Sequence, residues 1–237
     1  MRLVCACRSE TGPVRSRNED RVLCRPEAGI SAVADGMGGW VAGDVAARMV
    51  VDALARVPPG PLGEMCRAVR AALEEVNAAL LQRSLVHGPS GSTVVVMVAE
   101  PPRYRILWAG DSRAGLWRGG HLSWLTTDHN LAGEAVRLGR MDDGTARRSH
   151  LASRLTRAVG VDAELELDEV GGTLEAGDRV LLCSDGLTGT LSDAEIGAAL
   201  AEPDPERAAD RLMAMAVVER LASDNVTVAL VEARARA

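Results

Sequence analysis

Phenylalanine is missing from this chain, and its aromatic side chains amount to one tyrosine and four tryptophans. A surface that binds single-stranded nucleic acid by stacking bases needs more rings than that. The core must instead be built from Ala, Val, Leu, Ile and Met. Blocks of like charge are also absent: the 237 residues carry a net charge of −6 with acidic and basic residues well mixed, which argues against a nucleic-acid partner. No run of 18 apolar residues occurs, and the apolar stretch Met1–Cys7 is too short for a signal peptide. No membrane insertion is therefore expected, and a reducing cytoplasm is the expected compartment. The cysteines, Cys5, Cys7, Cys24, Cys66 and Cys183, are odd in number and contain no CxxC pair. They do not read as a disulfide framework or a zinc site, and Cys5-x-Cys7 reads as core or interface packing.

What is present is enough apolar sequence, 47% of residues, for one sizeable core, so residues 1–237 are expected to form a single α+β domain. Met1–Arg8 alternates like a strand. Arg21–Cys24 and Ile30–Ala34 read as a hairpin that delivers Asp35 at its end. Apolar residues at 46, 47, 50, 51 and 54 predict a helix over 44–54, and the stripe Met65, Val69, Leu73, Val76, Leu80 predicts a longer one over 62–85. Gly91–Ala99 and Arg103–Ala109 are strands around a Pro101-Pro102 turn. Ala114–Arg118 and His121–Leu125 flank a Gly119-Gly120 hairpin turn. A helix is expected over 128–138, a surface excursion over Arg140–Ser153, and strands over 165–170, 180–183 and 226–231. Ser192 and Glu195 have capping-box spacing, and Pro205 opens a last helix to about Leu221. Helices grouped between tightly connected strands suggest antiparallel sheets with helices on their outer faces.

Five short acidic motifs punctuate this pattern: Arg17-Asn18-Glu19-Asp20, Asp35-Gly36-Met37-Gly38-Gly39, Gly110-Asp111-Ser112-Arg113, Ser184-Asp185-Gly186 and Ser223-Asp224-Asn225. Any one Asp-Gly step reads most simply as a turn that closes a hairpin. Several carboxylates at strand ends, with glycines that let backbone approach a ligand, suit a cluster of hard divalent ions better.

Taken in order, these motifs resemble the metal-dependent protein phosphatase family, PP2C or PPM, in its short bacterial form. Arg15-Ser16-Arg17-Asn18-Glu19-Asp20, Thr126-Thr127-Asp128-His129 and Ser153–Gly160 extend the match, which covers roughly residues 9–231. The resemblance implies a four-layer α-β-β-α sandwich of two packed antiparallel sheets flanked by helices. It implies two Mn²⁺ or Mg²⁺ ions and a third, weaker one. By position Asp35 bridges the ions and Gly36 lends its carbonyl. Asp185 and Asp224 hold one metal, and Asp20 supports the other with Glu19 beside it. Asp111, with Asp185, matches the weaker third site, where Gly189 replaces a carboxylate found in some members.

The implied activity is hydrolysis of phosphoserine and phosphothreonine in proteins by a metal-bridging hydroxide, with Asp35, Asp185 and Asp224 essential and Arg15 binding the substrate phosphate. Met37 stands where some relatives carry a histidine and cannot donate a proton, which leaves a metal-bound water as the acid, or else His129, whose simpler reading is structural hydrogen bonding after Asp128. Residues 139–153 correspond to a flap, whose Arg147 and Arg148 read most simply as parts of a solvated loop and otherwise as contacts to acidic or phosphorylated substrate. The implied partners are phosphorylated proteins, among them a Hanks-type serine/threonine kinase and its substrates. A fold kept only for binding would be marked by loss of Asp35, Asp185 or Asp224, and all three are present. Phosphatases that act on anti-sigma-factor antagonists share the chemistry with another substrate.

Overall fold

The computed structural model describes residues 1–37 and 43–235. The strands are β1 (Arg2–Glu10), β2 (Asp20–Arg25), β3 (Ile30–Met37), β4 (Gly91–Ser92), β5 (Val94–Glu100), β6 (Arg103–Ala109), β7 (Arg113–Arg118), β8 (His121–Trp124), β9 (Asp168–Thr173), β10 (Arg179–Cys183) and β11 (Val226–Arg234). The helices are α1 (Gly43–Ala55), α2 (Leu62–His87), α3 (Leu131–Arg137), α4 (Asp143–Arg147), α5 (Asp185–Thr188), α6 (Asp193–Leu200) and α7 (Pro205–Met213). One sheet runs β1-β11-β10-β7-β8, and the other β2-β3-β5-β6-β9 with β4 paired to β3. The ladders are antiparallel.

Strand alternation sorts the aliphatic residues into three apolar layers. On β3 and β5, Ala32, Ala34, Val94, Val96 and Val98 face α1 and α2, where they meet Val50, Leu54, Val69 and Leu73. Val33, Val95 and Met97, one residue out of step, face the other sheet and pack with Leu182, Ala229 and Val231. On that sheet Leu181, Val228 and Leu230 face α6 and α7, against Ile196, Leu200 and Leu212. The result is the α-β-β-α sandwich, built without phenylalanine because short branched side chains fill both faces of each strand.

The predicted elements recur with specific differences. Asp35 lies inside β3 rather than past its end, because β4 pairs with Gly36 and Met37 and prolongs the ladder. The strand expected over 165–170 is instead Asp168–Thr173, since its register is set by β6. Gly171 and Gly172 belong to it despite their weak strand propensity, because the side chains of Arg105 and Tyr104 fill the space a Cβ would take. The helix expected over 128–138 begins at Leu131, capped by Asn130 Oδ1 accepting from Gly133 N at 2.8 Å. The surface excursion contains α4, and the last helix continues past α7 as a wider turn over Ala214–Glu219. The Ser192–Glu195 capping box is present. Gly38 and Gly39 lie outside the described residues.

One expectation is overturned. Cys5 and Cys24 form a disulfide with Cα atoms 6.2 Å apart, within the usual span of such a bond. β1 and β2 lie in different sheets, and both cysteines point into the layer between them. Cys7, Cys66 and Cys183 are free thiols.

Candidate active site

The acidic motifs converge where the two sheets meet at one edge of the sandwich. Asp20 opens β2 and is paired in register with Asp35 on β3. Asp111 follows β6 through Gly110, whose φ of +112° suits glycine. Asp185 follows β10 at the start of α5, and Asp224 immediately precedes β11. A cleft of about 1000 Å³ is lined by Asp35, Gly36, Asp111, Asp185 and Asp224, with Arg15 and Glu19 at the same cleft. Asp20 lies just beneath, 1% exposed.

The electrostatics report how tightly these groups are gathered. Burial pushes the Asp35 carboxyl well above the ordinary carboxylate range, and the charges of Asp20, Asp185, Asp111 and Asp224 push it further. Burial raises Asp20 to about 7, against hydrogen bonds to Thr227 and Ser184 that pull it down. Burial and then the charge of Asp224 raise Asp185 to about 6. Asp111 is raised well above its usual value, again mainly by burial and next by Asp185. The charges of Asp20, Asp111, Asp185 and Asp224 each disfavour ionisation of another carboxyl in the cluster, so the site calls for cations.

Two of their oxygens say the same in geometric terms. Asp20 Oδ1 and Asp185 Oδ1 are buried and have no hydrogen-bond partner. Leaving such groups bare is costly, and bound divalent cations would satisfy them. Among the described residues no three carboxylate, imidazole or thiol groups are closed into a ready-made ion cage. Gly36 adds a backbone requirement: a Cβ there would collide with the Gly43 carbonyl oxygen and lie 2.8 Å from that of Glu19. Only glycine lets β3, the start of α1 and the Glu19 loop meet at this point. Glu19 itself packs its side chain against Gly43.

A ring of neutral groups fixes the carboxylates. Ser184 Oγ donates to Asp20 Oδ2 at 2.8 Å and accepts from Thr227 N at 3.0 Å. Thr93 Oγ1 accepts from Asp35 N at 3.1 Å, and Thr93 N donates to Asp35 O at 2.8 Å. Asn225 clamps the 11–19 loop, donating to Thr11 O and Arg17 O at 2.9 and 2.8 Å and accepting from Glu19 N at 2.8 Å. These positioning roles were not read from the sequence. Asn225 was signalled only by its place beside Asp224, and Thr93 looked like one more β-branched strand residue.

Arg15 donates Nη2 to Asp224 Oδ2 at 2.7 Å, with about half of its side chain in solvent. Arg157, whose role the sequence did not suggest, also lines the cleft; it is held by Asp168 at 2.7 Å. The structure separates the alternative readings of His129 and of the two flap arginines. His129 is buried behind the cleft, stacked on Trp108 at 5.7 Å, with Nδ1 accepting from Gly110 N at 3.3 Å. Its Nε2 lies 3.2 Å from Asp168 Oδ2 but out of hydrogen-bonding alignment, and burial lowers its pKa, so it is placed to hold the 110 turn rather than to donate a proton. Arg147 turns inward to ion pairs with Asp143 and Asp193, whereas Arg148 is exposed.

Comparison with known proteins agrees with this geometry. The family described as "Protein phosphatase 2C" matches residues 14–231. The serine/threonine protein phosphatase PstP of Mycobacterium tuberculosis is 36% identical over 232 residues, which are 96% of this chain and 44% of that protein. The chain thus spans less than half the length of that relative. The solved structure of PppA, described as a key regulatory component of T6SS in Pseudomonas aeruginosa, superposes with a TM-score of 0.91 at 37% identity and covers 98% of both chains. The catalytic domain of PstP, solved in complex with two manganese ions, gives a TM-score of 0.87 at 34% identity over 99% of both chains. A family match over most of the length, on a fold and carboxylate site of this kind, establishes that the chain belongs to the protein phosphatase 2C family.

Proposed function

We propose that this protein is a metal-dependent serine/threonine phosphatase that hydrolyses phosphoserine and phosphothreonine in proteins, with residues 1–237 acting as one domain and 139–153 as its flap. The observation that carries the reading is the pair of bare, buried oxygens on Asp20 and Asp185, set among three further carboxylates in a cleft that also presents Arg15. Relatives named as serine/threonine phosphatases, and the two manganese ions in the PstP structure, support it.

In this reading Asp35, Asp185 and Asp224, the Gly36 carbonyl and Asp20 hold two divalent ions, with Glu19 beside them. Manganese and magnesium both suit so oxygen-rich a donor set. Asp111 and Asp185 offer a third, weaker site. The ions, when bound, neutralise the carboxylates, polarise the phosphoryl group and acidify the attacking water.

The chain's own residues do the rest. Arg15 spends one donor on Asp224, and its guanidinium fork retains others for the phosphate oxygens, which positions the ester against the carboxylate cluster. Asn225 holds the loop that carries Arg15, so the fork and Asp224 move as a unit. Thr93 and Ser184 hold Asp35 and Asp20 at fixed heights along their strands. Met37 lines the cleft without a proton to give, and His129 does not line it, so the leaving serine or threonine oxygen takes its proton from solvent in the open cleft.

The proposed partners are phosphorylated proteins, including a serine/threonine kinase and its substrates. Among the described residues no helix is long and apolar enough to cross a membrane. The cytoplasm is the proposed compartment. The Cys5–Cys24 pair tests that placement, because cytosolic thiols are normally kept reduced.

The experiment is phosphate release from para-nitrophenyl phosphate and a phosphothreonine peptide, with Mn²⁺, Mg²⁺ or EDTA, for wild type and Asp224→Asn. Turnover that needs metal and falls at least about a hundredfold in the variant supports the reading. A folded wild type that turns over neither substrate with metal present contradicts it.

A further inference from the structure

Residues 139–153 leave the end of α3 and return to the cleft wall at Ser153. The base of this excursion is closed by a bridge between Asn130 and Leu155 and by Leu131 N donating to Arg154 O at 3.0 Å. Its far end is α4. That helix buries only Ala146 and packs on α3, which does not by itself tie it to β7 and α6.

Charge does. Arg113 on β7, 3% exposed, grips both oxygens of Asp128 at 2.6 and 2.8 Å and both oxygens of Asp143 at 2.9 and 3.1 Å. Arg147, at the end of α4, pairs with Asp143 at 2.8 Å. It also places its two terminal nitrogens on the two oxygens of Asp193, in the first turn of α6, at 2.7 and 3.0 Å. Trp124 Nε1 donates to the same carboxylate at 3.1 Å, and the Trp124 ring lies 5.5 Å from the Arg113 guanidinium carbon. Two arginines and three aspartates thus tie this helix to β7 and α6. A bidentate arginine–carboxylate pair fixes orientation as well as distance.

Consecutive tight turns carry this position to the cleft. Ser149 N donates to Ala146 O, Ala152 N to Ser149 O and Arg154 N to Leu151 O, at 3.0, 3.0 and 3.2 Å. They lead without a break into Ser153, Leu155 and Thr156, which form part of the cleft wall.

We infer that the Arg147–Asp193 pair is a latch that sets this wall for a peptide-sized phosphate ester, which makes Arg147 and Asp193 positioning residues for substrate recognition. The inference rests on the phosphatase reading above. A small aryl phosphate offers little beyond its phosphate for the wall to hold. A phosphopeptide has residues on either side of the phosphate and must pass along it.

The test compares wild type with Asp193→Asn, Arg147→Gln and the conservative Asp193→Glu, using para-nitrophenyl phosphate and a phosphothreonine peptide with Mn²⁺. For Asp193→Asn and Arg147→Gln, KM for the peptide should rise about two- to fivefold, the range a partly exposed ion pair supports. Peptide kcat and both constants for the aryl phosphate should stay at wild-type values, and Asp193→Glu should restore the peptide KM. Backbone amides of 139–153 should exchange hydrogen faster in the two broken variants alone. Unchanged peptide KM together with unchanged exchange overturns the latch. An equal loss on both substrates overturns the positioning role. Should wild type turn over neither substrate, the phosphatase reading falls, and with it the role in recognition.

Discussion

Replacing Asp185 by asparagine should stabilise the metal-free protein while weakening its response to metal. Asp185 is buried, its Oδ1 has no partner, and burial with the charge of Asp224 lifts its pKa from 3.8 to about 6. A carboxyl whose folded pKa is raised costs stability once the pH exceeds its unfolded value, and the cost is complete above the folded value. That interval corresponds to about 3 kcal/mol near neutral pH. Asparagine keeps the shape and removes the charge, but its amide protons pair imperfectly among carboxyl groups, which costs about 1 kcal/mol. The net gain of about 2 kcal/mol should appear as a rise of roughly 4–8 °C in Tm. Thermal unfolding in EDTA at about pH 7.5 measures it. The gap should close as pH falls toward about 4, where the wild-type carboxyl is neutral in the folded state. Manganese at about a hundred times its Kd should stabilise wild type by about 2.7 kcal/mol for each ion bound, and the variant by less, because Asp185 helps to hold one of them. A variant less stable than wild type in EDTA, or a gap that widens on acidification, would refute the reasoning.

Other sites give sharper local tests. Gly36→Ala drives a Cβ into the Gly43 carbonyl, so it should cost about 1–3 kcal/mol by thermal unfolding and weaken manganese binding measured by titration calorimetry. Arg15→Lys replaces a fork by a point charge and should raise KM for a phosphothreonine peptide about tenfold with the fold intact; an unchanged KM would remove Arg15 from the phosphate site. Cys24→Ser opens a crosslink between residues 19 apart and should lower stability by about 3 kcal/mol in the absence of reductant, with no difference from wild type in dithiothreitol.

The sequence announced the site more clearly than the elements that hold it. Asp35, Asp111, Asp185 and Asp224 stand at or near strand ends, and β-branched runs beside three of them made that placement legible. Asp20 and Glu19 were readable only as a pair near the first hairpin. The depth of Asp20 beneath the cleft depends on how β2 and β3 register, which no local pattern encodes. β9 was misplaced because Gly171 and Gly172 satisfy Arg105 and Tyr104 on the neighbouring strand rather than any propensity of their own. The Cys5–Cys24 pairing joins strands of opposite sheets, so it exists only once the sheets stack. Arg147 and Arg148 look alike in sequence. Asp193, 46 residues away, is what turns the first inward and leaves the second in solvent.

The most direct measurement is manganese binding and phosphate release followed together in one titration of the wild-type protein. The account predicts two ions bound per chain, as in the PstP structure, with phosphothreonine peptide turnover rising as the sites fill and vanishing on chelation. Turnover that persists in excess chelator, or full occupancy with no turnover, would contradict it.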